Sequence, residues 1–288
     1  MNIIRKYKLW FLFSGTLIVL SLVTLVFNGM VRGKVMNFGI DFTGGTILNL
    51  RFTQPTNVGQ VRGILDEYKL GEASIQKSGD NDFLIRLEPI EPEVRQKIVD
   101  EAGTKLGGVE LLEADTIGPV IGSELRSQAI WAIILANGLI LLYLSFRFEF
   151  IYALAGVLAL IHDATITTGF MAFLYRNIDV TFVAGILTIL GYSITDTVVI
   201  FDRIREDLRK PGAGKKPFAD LVNQSIFSTL ARSINTVLTV IIMVLSLLIF
   251  GGENTRDLCI LLLIGFSFGC YSSIFIASPI VVLFSGRK

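Results

Sequence analysis

The 288-residue chain has one histidine, two cysteines and few charges. A lone histidine, His162, excludes any His-rich metal site. Cys259 and Cys270 lie in one apolar run. On one helix they would stand roughly 16 Å apart, too far for a mutual disulfide. They read as small apolar packing residues and point to no redox compartment. Only 18% of residues are charged, and they cancel to a net charge of +1. That balance says little about partners, because the charges are segregated along the chain. The basic stretch "RKPGAGKKP" (209–217) lacks the phosphate-loop spacing and has Lys216 where Ser or Thr should stand. No nucleophile or nucleotide signature occurs elsewhere. Neither an enzymatic activity, nor a cofactor, nor a nucleic-acid partner is expected.

What is abundant is apolar sequence: 52% of residues are hydrophobic, a composition of integral membrane proteins. Six runs are candidate spans, at 9–28, 128–146, 151–174, 180–201, 227–250 and 258–284. Each suits a bilayer core of about 30 Å, which needs about 20 helical residues. The first is read as an uncleaved anchor, because "VFNGMVRG" offers no A-x-A cleavage site. Arg5, Lys6 and Lys8, Arg147, the basic residues between Arg203 and Lys216, and Arg287 with Lys288 fall on one side of a six-span arrangement. The positive-inside tendency makes that side the cytoplasm. The expected organisation is therefore residues 1–28 as N-terminus and first span, 29–127 as an extracytoplasmic domain, and 128–288 as five helices with a basic cytoplasmic loop at 202–226.

Residues 46–118 read as β-α-β-β-α-β, the order of a ferredoxin-like α+β unit. "TILNLRF" (46–52) alternates, with Leu48, Leu50 and Phe52 on one face. A helix should follow Asn57, with Val58, Val61, Leu65 and Tyr68 on its apolar side. "EASIQKS" (72–78) and "DFLIRLE" (82–88) flank "GDN", a hairpin-type turn. Pro92 can open a second helix bearing Val94, Ile98, Ala102 and Leu106, and "VELLEADTIG" (109–118) supplies the last strand. The acids of this domain read as solvated faces. Two stretches join it to the membrane, "FGIDFTGG" (38–45) and "IGPVIGSELR" (117–126). Asp41, Gly44, Gly45, Gly118, Pro119 and Gly122 are the candidates for coupling the two parts; Gly44 and Gly45 permit tight backbone geometry, and Asp41 suits the cap of a turn or a contact with a partner.

Ionisable residues inside a membrane are expensive and mark function by default. Asp196 lies in the fourth span, roughly 9 Å from a cytoplasmic edge at Asp202. Arg232 lies in the fifth, about 10 Å in from Ser225. The two are at matched depth, where an antiparallel neighbour can bring them together. Thr188 and Tyr192 share a face with Asp196, and Thr229, Asn235, Thr236 and Thr239 continue a polar stripe beside Arg232. Asp163 stands near mid-membrane in the third span, after His162; neighbours in sequence point some 100° apart on a helix, so those two need not act together. Asp163, Tyr192, Asn235 and Thr236 are candidates for a wider polar network. Two readings of Asp196 and Arg232 stay open. One is a static pair that fixes helix packing; the other is a titratable carboxylate in a proton path. In the last span, Gly265, Gly269 and Ser273 form a small-residue ridge suited to close helix packing.

"FGIDFTGG", "IGPVIGSELR", "GYSITDTVVIFDRIRE" (191–206) and "LARSINT", in this order on six spans, resemble the SecF family of protein-export membrane proteins. That family belongs to the resistance-nodulation-division superfamily. The resemblance implies a partner, SecD, and joint assistance to the Sec translocon channel as an unfolded preprotein leaves it, driven by proton-motive force. It also implies that Asp196 and Arg232 occupy the positions of the family's proton-path aspartate and arginine; Asp163 is not carried over. Two other functions compete: a proton-driven small-molecule efflux subunit, for which one small external domain is a poor fit, and a non-conducting assembly subunit.

Overall fold

The fold is that of a computed structural model, which describes residues 2–285 apart from 72, 78, 80, 212, 213 and 215, and apart from the side chains of 253 and 254. Glu72 and Ser78 of the expected strand, Asp80 of the expected turn, and Lys215, Arg287 and Lys288 of the orientation argument lie outside the described residues. The chain divides into two compact units, Met1–Asn37 with Trp131–Lys288, and Phe38–Ile130.

In chain order the elements are α1 (Tyr7–Arg32), β1 (Asn37–Phe38), α2 (Ile40–Thr43), β2 (Gly45–Phe52), α3 (Val58–Glu67), β3 (Ser74–Lys77), β4 (Asp82–Leu87), α4 (Pro92–Leu106), β5 (Val109–Ile117), α5 (Pro119–Arg147), α6 (Phe150–Phe173), β6 (Asn177–Ile178), α7 (Val180–Leu208), α8 (Phe218–Phe250), α9 (Glu253–Ser272) and α10 (Ser278–Phe284). A π-helical turn, Ser273–Ala277, joins α9 to α10.

Among the described residues, six helical stretches are long and apolar enough to cross a membrane, and each coincides with one of the six expected runs. Several boundaries differ, most of all at α5, α7 and α8. The second helix begins at Pro119, earlier than 128. The segment 202–226 is not a loop throughout: α7 continues to Leu208 and α8 starts at Phe218. The reason is side-chain pairing along a solvated helix end. Arg203 meets Glu206 at 3.0 Å and Asp207 at 3.4 Å, and Lys210 meets Asp207 at 2.6 Å, spacings that support a helix. Ile204, next to these residues in the helix, is fully buried.

The core of the membrane unit gathers Ala153, Ala155 and Ala159 of α6, Ile200, Phe201 and Ile204 of α7, Leu221, Val222 and Ile226 of α8, and Ala277 and Val281 near the C-terminus. Small residues set the helix spacing. A Cβ on Gly265 would lie 2.1 Å from Ile189 Cδ1, and one on Gly269 would lie 3.0 Å from Ser193 Cβ. The small-residue ridge of the last span therefore seats α9 directly against α7. Gly169 plays the same part toward Ser21 of α1, and Asn28 of α1 donates to the Ala172 carbonyl of α6 at 2.9 Å.

In the other unit four strands form an antiparallel sheet in the order β3-β4-β2-β5. Alternation fixes its inner face: Leu48, Leu50, Phe52, Phe83, Ile85 and Leu87 are buried with Val61, Ile64 and Leu65 of α3 and Ile98 and Ala102 of α4. Asn57 and Gln60 make a reciprocal capping box that starts α3. Pro92 opens α4, and Gly107 ends it in the left-handed region. Val58, expected on the apolar side of α3, is exposed at the first helical position, and Ile64 fills the core instead.

Candidate functional site

The polar groups of the membrane unit form two clusters. The first centres on Asp163, which has no exposed surface. Its Oδ2 accepts hydrogen bonds from Ser193 Oγ of α7 and Ser272 Oγ of α9, each at 2.7 Å. Its Oδ1 lies 2.9 Å from His162 Nδ1. The sequence did not require these neighbours to act together; in the structure they are directly bonded. The His162 ring lies nearly parallel to that of Tyr271, centroids 6.1 Å apart. Tyr271 Oη in turn lies 3.1 Å from Ser14 Oγ of α1. One turn along α7 from Ser193, Thr197 Oγ1 lies 2.7 Å from Ser273 Oγ, in the π-helical turn. Such turns break the regular ladder and are frequent at functional positions. Three helices thus meet on one buried carboxylate.

The second cluster centres on Asp196, which is partly buried. Ser233 of α8 donates to its Oδ1 at 2.6 Å. Its Oδ2 is buried and has no hydrogen-bond partner among the described residues. The direct Asp196–Arg232 contact suggested by matched depth is not formed among the described residues; the adjacent Ser233 makes the contact. Successive helical residues diverge by about 100°, so when Ser233 faces α7, Arg232 turns aside. Arg232 is exposed on the wall of an open groove of about 540 Å³ with Val199, Asp202, Arg203, Glu206, Ser228 and Thr229. Asp202 pairs with Arg147 at 3.1 Å at the edge of this region.

The remaining expected members disperse. Tyr192 packs on Phe266, centroids 4.6 Å apart. Thr188 bonds to the Ala184 carbonyl of its own helix. Asn235 and Thr236 are exposed on α8, with Thr236 bonded to the Arg232 carbonyl. Neither is brought to Asp163. Ser193, Thr197, Ser233 and Ser272 were missed, and Ser273 was read only as a packing residue of the last span. Their only sequence signals are the Ser193/Thr197 spacing of one turn and the Ser272–Ser273 doublet.

In the sheet unit, the coupling candidates explain themselves by geometry. Gly44 has φ +73°, and a Cβ there would stand 2.9 Å from Pro119 Cα. Gly45 has φ +143°, with the Leu87 carbonyl 2.8 Å from where a Cβ would lie. A Cβ on Gly122 would stand 2.9 Å from Gly44 N. The start of α5 therefore lies backbone to backbone on the Gly44–Gly45 turn, and side chains at these three positions would be excluded. Gly118 has open space around it, and Pro119 is the first residue of α5. Asp41 sits in the first turn of α2, whose capping position is Gly39, so Asp41 is not the cap residue. Among the described residues, no three His, Cys, Asp or Glu side chains converge as a metal site.

Comparison with known proteins adds the family context. Residues 98–287 match the family model described as "Protein export membrane protein SecD/SecF, C-terminal". Residues 33–56 match that of the "SecD/SecF GG Motif", the segment containing Gly44 and Gly45. A protein translocase subunit SecF from Sebaldella termitidis is 42% identical, with 98% of this chain and 91% of that protein covered. One from Pseudomonas aeruginosa is 38% identical, over 94% of this chain and 90% of its own length. A solved structure of SecDF from Thermus, titled a translocon-associated membrane protein, matches with a TM-score of 0.89 at 35% identity. It covers all of this chain, which spans 39% of that longer one.

Proposed function

Because the chain belongs to the SecF family of protein translocase subunits, we propose that it is the SecF-like subunit of the Sec accessory complex and uses proton-motive force to promote late stages of protein export. The observation that carries the proton reading is Asp196. Its Oδ1 takes one short bond from Ser233, while its Oδ2 is buried without a partner among the described residues. An unsatisfied buried carboxylate oxygen is costly unless something binds it. A proton is the smallest ligand that does so, and the groove lined by Arg232 lies on the same face of α7 and α8. In this reading Asp196 loads and releases the proton, and the Arg232 charge tunes that exchange. One charge moved through 100 mV yields about 2.3 kcal/mol, so several protons can bias a movement of a few kcal/mol.

The chain is a multi-pass protein of the bacterial cytoplasmic (inner) membrane, with both termini cytoplasmic on the strength of its basic segments. The sheet unit is a ferredoxin-like domain on the far side; its β-α-β-β-α-β order and β3-β4-β2-β5 sheet support that reading. The partners are SecD, the Sec translocon channel, the unfolded preprotein and the lipid bilayer. The solved SecDF chain is longer than the 39% of it that this chain spans, which supports a SecD-like partner. Movement in the membrane unit enters the sheet unit where the chain crosses at 37–38 and 130–131, and the Gly44–Gly45 and Gly118–Gly122 segments lie just inside those crossings. No enzymatic step and no cofactor enters this scheme.

The test is export into inverted membrane vesicles carrying Asp196→Asn. An amide oxygen still accepts from Ser233 but holds no titratable proton. The gradient-dependent part of export should vanish while the complex still assembles. Undiminished gradient-dependent export would instead favour the non-conducting assembly role.

A further inference from the structure

The Asp163 cluster is more than a knot of packing, because one buried polar atom in it is left over. A carboxylate only accepts hydrogen bonds, so His162 Nδ1 must donate to Asp163 Oδ1 across their 2.9 Å contact when the acid is ionised. That places the single proton of a neutral imidazole on Nδ1. The other ring nitrogen, Nε2, is then a lone pair; it is buried and has no partner among the described residues. An acceptor of this kind inside a membrane protein is poised to take up a proton.

We propose that His162 and Asp163 together form a second proton-binding site, loaded at His162 Nε2, whose charge controls how tightly α6 holds α7 and α9. The proposal rests on the proton-driven reading of this membrane unit. The step balances. An incoming proton forms an Nε2–H bond, the Nδ1–H bond breaks, and that proton forms an O–H bond on Asp163 Oδ1. One proton has entered, and the pair has gone from a charge of minus one to neutral. The new acid hydroxyl donates back to Nδ1. Asp163 Oδ2 is then the carbonyl oxygen of a neutral acid, and the charge-assisted bonds from Ser193 and Ser272 weaken.

Ser272 has somewhere to go. Its hydroxyl also lies 3.2 Å from the Gly269 carbonyl of its own helix, so it can rotate away from Asp163 without losing a partner. It stands at the last position of α9, directly before the π-helical turn. Releasing Ser272 therefore loosens the cross-link at the one irregular point of the last span. The ionisable groups on the surrounding helices are few. Tyr271 and Cys270 on α9 and Tyr192 and Asp196 on α7 are nearest along their helices, α1 has none between Lys8 and Arg32, and α10 has none. The pair is thus the principal charge in its own surroundings.

The single histidine makes the test direct. The full chain, made without added histidines and labelled with ¹⁵N-histidine in this chain alone, is reconstituted in lipid. Solid-state NMR then reads His162 from about pH 9 to about pH 4, a window that spans ordinary histidine and carboxylate titration. The expected result is an Nδ1–H imidazole at the alkaline end that gains an Nε2–H signal as pH falls. An infrared carboxylic-acid band should appear in the same range and be missing in Asp163→Asn. A ring that keeps one protonation pattern throughout, or a band unchanged by Asp163→Asn, overturns the proposal. The parent chain is the primary sample, so a poorly folded variant does not blunt the result. If His162 titrates but the parent shows no gradient-dependent export, the functional reading fails and the site stands. If export is gradient-dependent and His162 keeps one pattern, only the second site fails.

Discussion

The two units solve opposite solvation problems. In the sheet unit the interior is apolar, with Phe52, Phe83, Leu48 and Ile85 essentially without exposed surface, and ions pair at the surface. Tyr68 Oη reaches Glu101 at 2.6 Å and Lys105 reaches Glu101 at 2.5 Å. In the membrane unit the outward faces are apolar, as Leu12, Met30, Phe146 and Phe250 illustrate, and the polar groups go inward. Asp163, Thr197, Ser193, Ser225 and Ser272 have no exposed surface. Water stabilises charge in the first unit; hydroxyl groups from neighbouring helices must do so in the second. Removing a buried side chain should therefore cost stability in the sheet unit, and removing a buried polar atom should cost function in the membrane unit.

The largest expected effect tests the first half of that contrast. Phe83→Ala should destabilise the sheet unit by about 3–5 kcal/mol, read as far faster protease cleavage within 38–130 of the full chain, with the membrane helices still protected. Next is the helix spacing. Gly265→Ala forces a methyl into Ile189 and should cost about 1–3 kcal/mol, whereas Gly138→Ala, with open space around it, should leave detergent stability unchanged. Equal losses from both would mean that α7 and α9 are not held by the small-residue ridge. Ser233→Ala comes third. It removes the one side-chain hydrogen bond to the Asp196 carboxylate among the described residues and should reduce gradient-dependent export while changing stability by about 1.5–3 kcal/mol or less. The smallest effect concerns Glu101. Hydrogen bonds from Lys105 and then Tyr68 lower its pKa from 4.5 to about 2. A folded-state value below the unfolded one means the stabilisation is present above the unfolded value and is lost as pH falls through about 2. Because the group is solvated, Glu101→Gln should barely shift thermal unfolding at neutral pH, while narrowing the difference between neutral and strongly acidic conditions.

The same contrast explains what the sequence could tell. Period-two alternation in 46–52 marked the inner face of that strand residue by residue, because one face is apolar and the other is not. The apolar runs marked six helices for the same reason. Their ends were less legible: Asp202–Leu208 looks like a loop by charge and is helical through its internal ion pairs. The hydroxyl groups were least legible. Thr165, Thr188, Thr195 and Thr236 each bond to the carbonyl four residues earlier and do nothing between helices. Ser193, Ser233 and Ser272 reach carboxylates on other helices. A serine or threonine in an apolar helix can do either, and only the packing of α6, α7, α8 and α9 decides which. Depth can be counted from sequence but helix rotation cannot: Ser233 makes the hydrogen bond to Asp196, while Arg232, one residue earlier, stands on the groove wall.

The central claim is that Asp196 binds and releases a proton as part of the working cycle. The most direct measurement is proton movement itself, followed with a pH-sensitive dye inside vesicles containing the complete, partner-bound complex. The parent should dissipate an imposed pH gradient, and Asp196→Asn should hold it at the rate of empty vesicles. Equal dissipation by parent and Asp196→Asn, in complexes assembled to the same extent, would contradict the account.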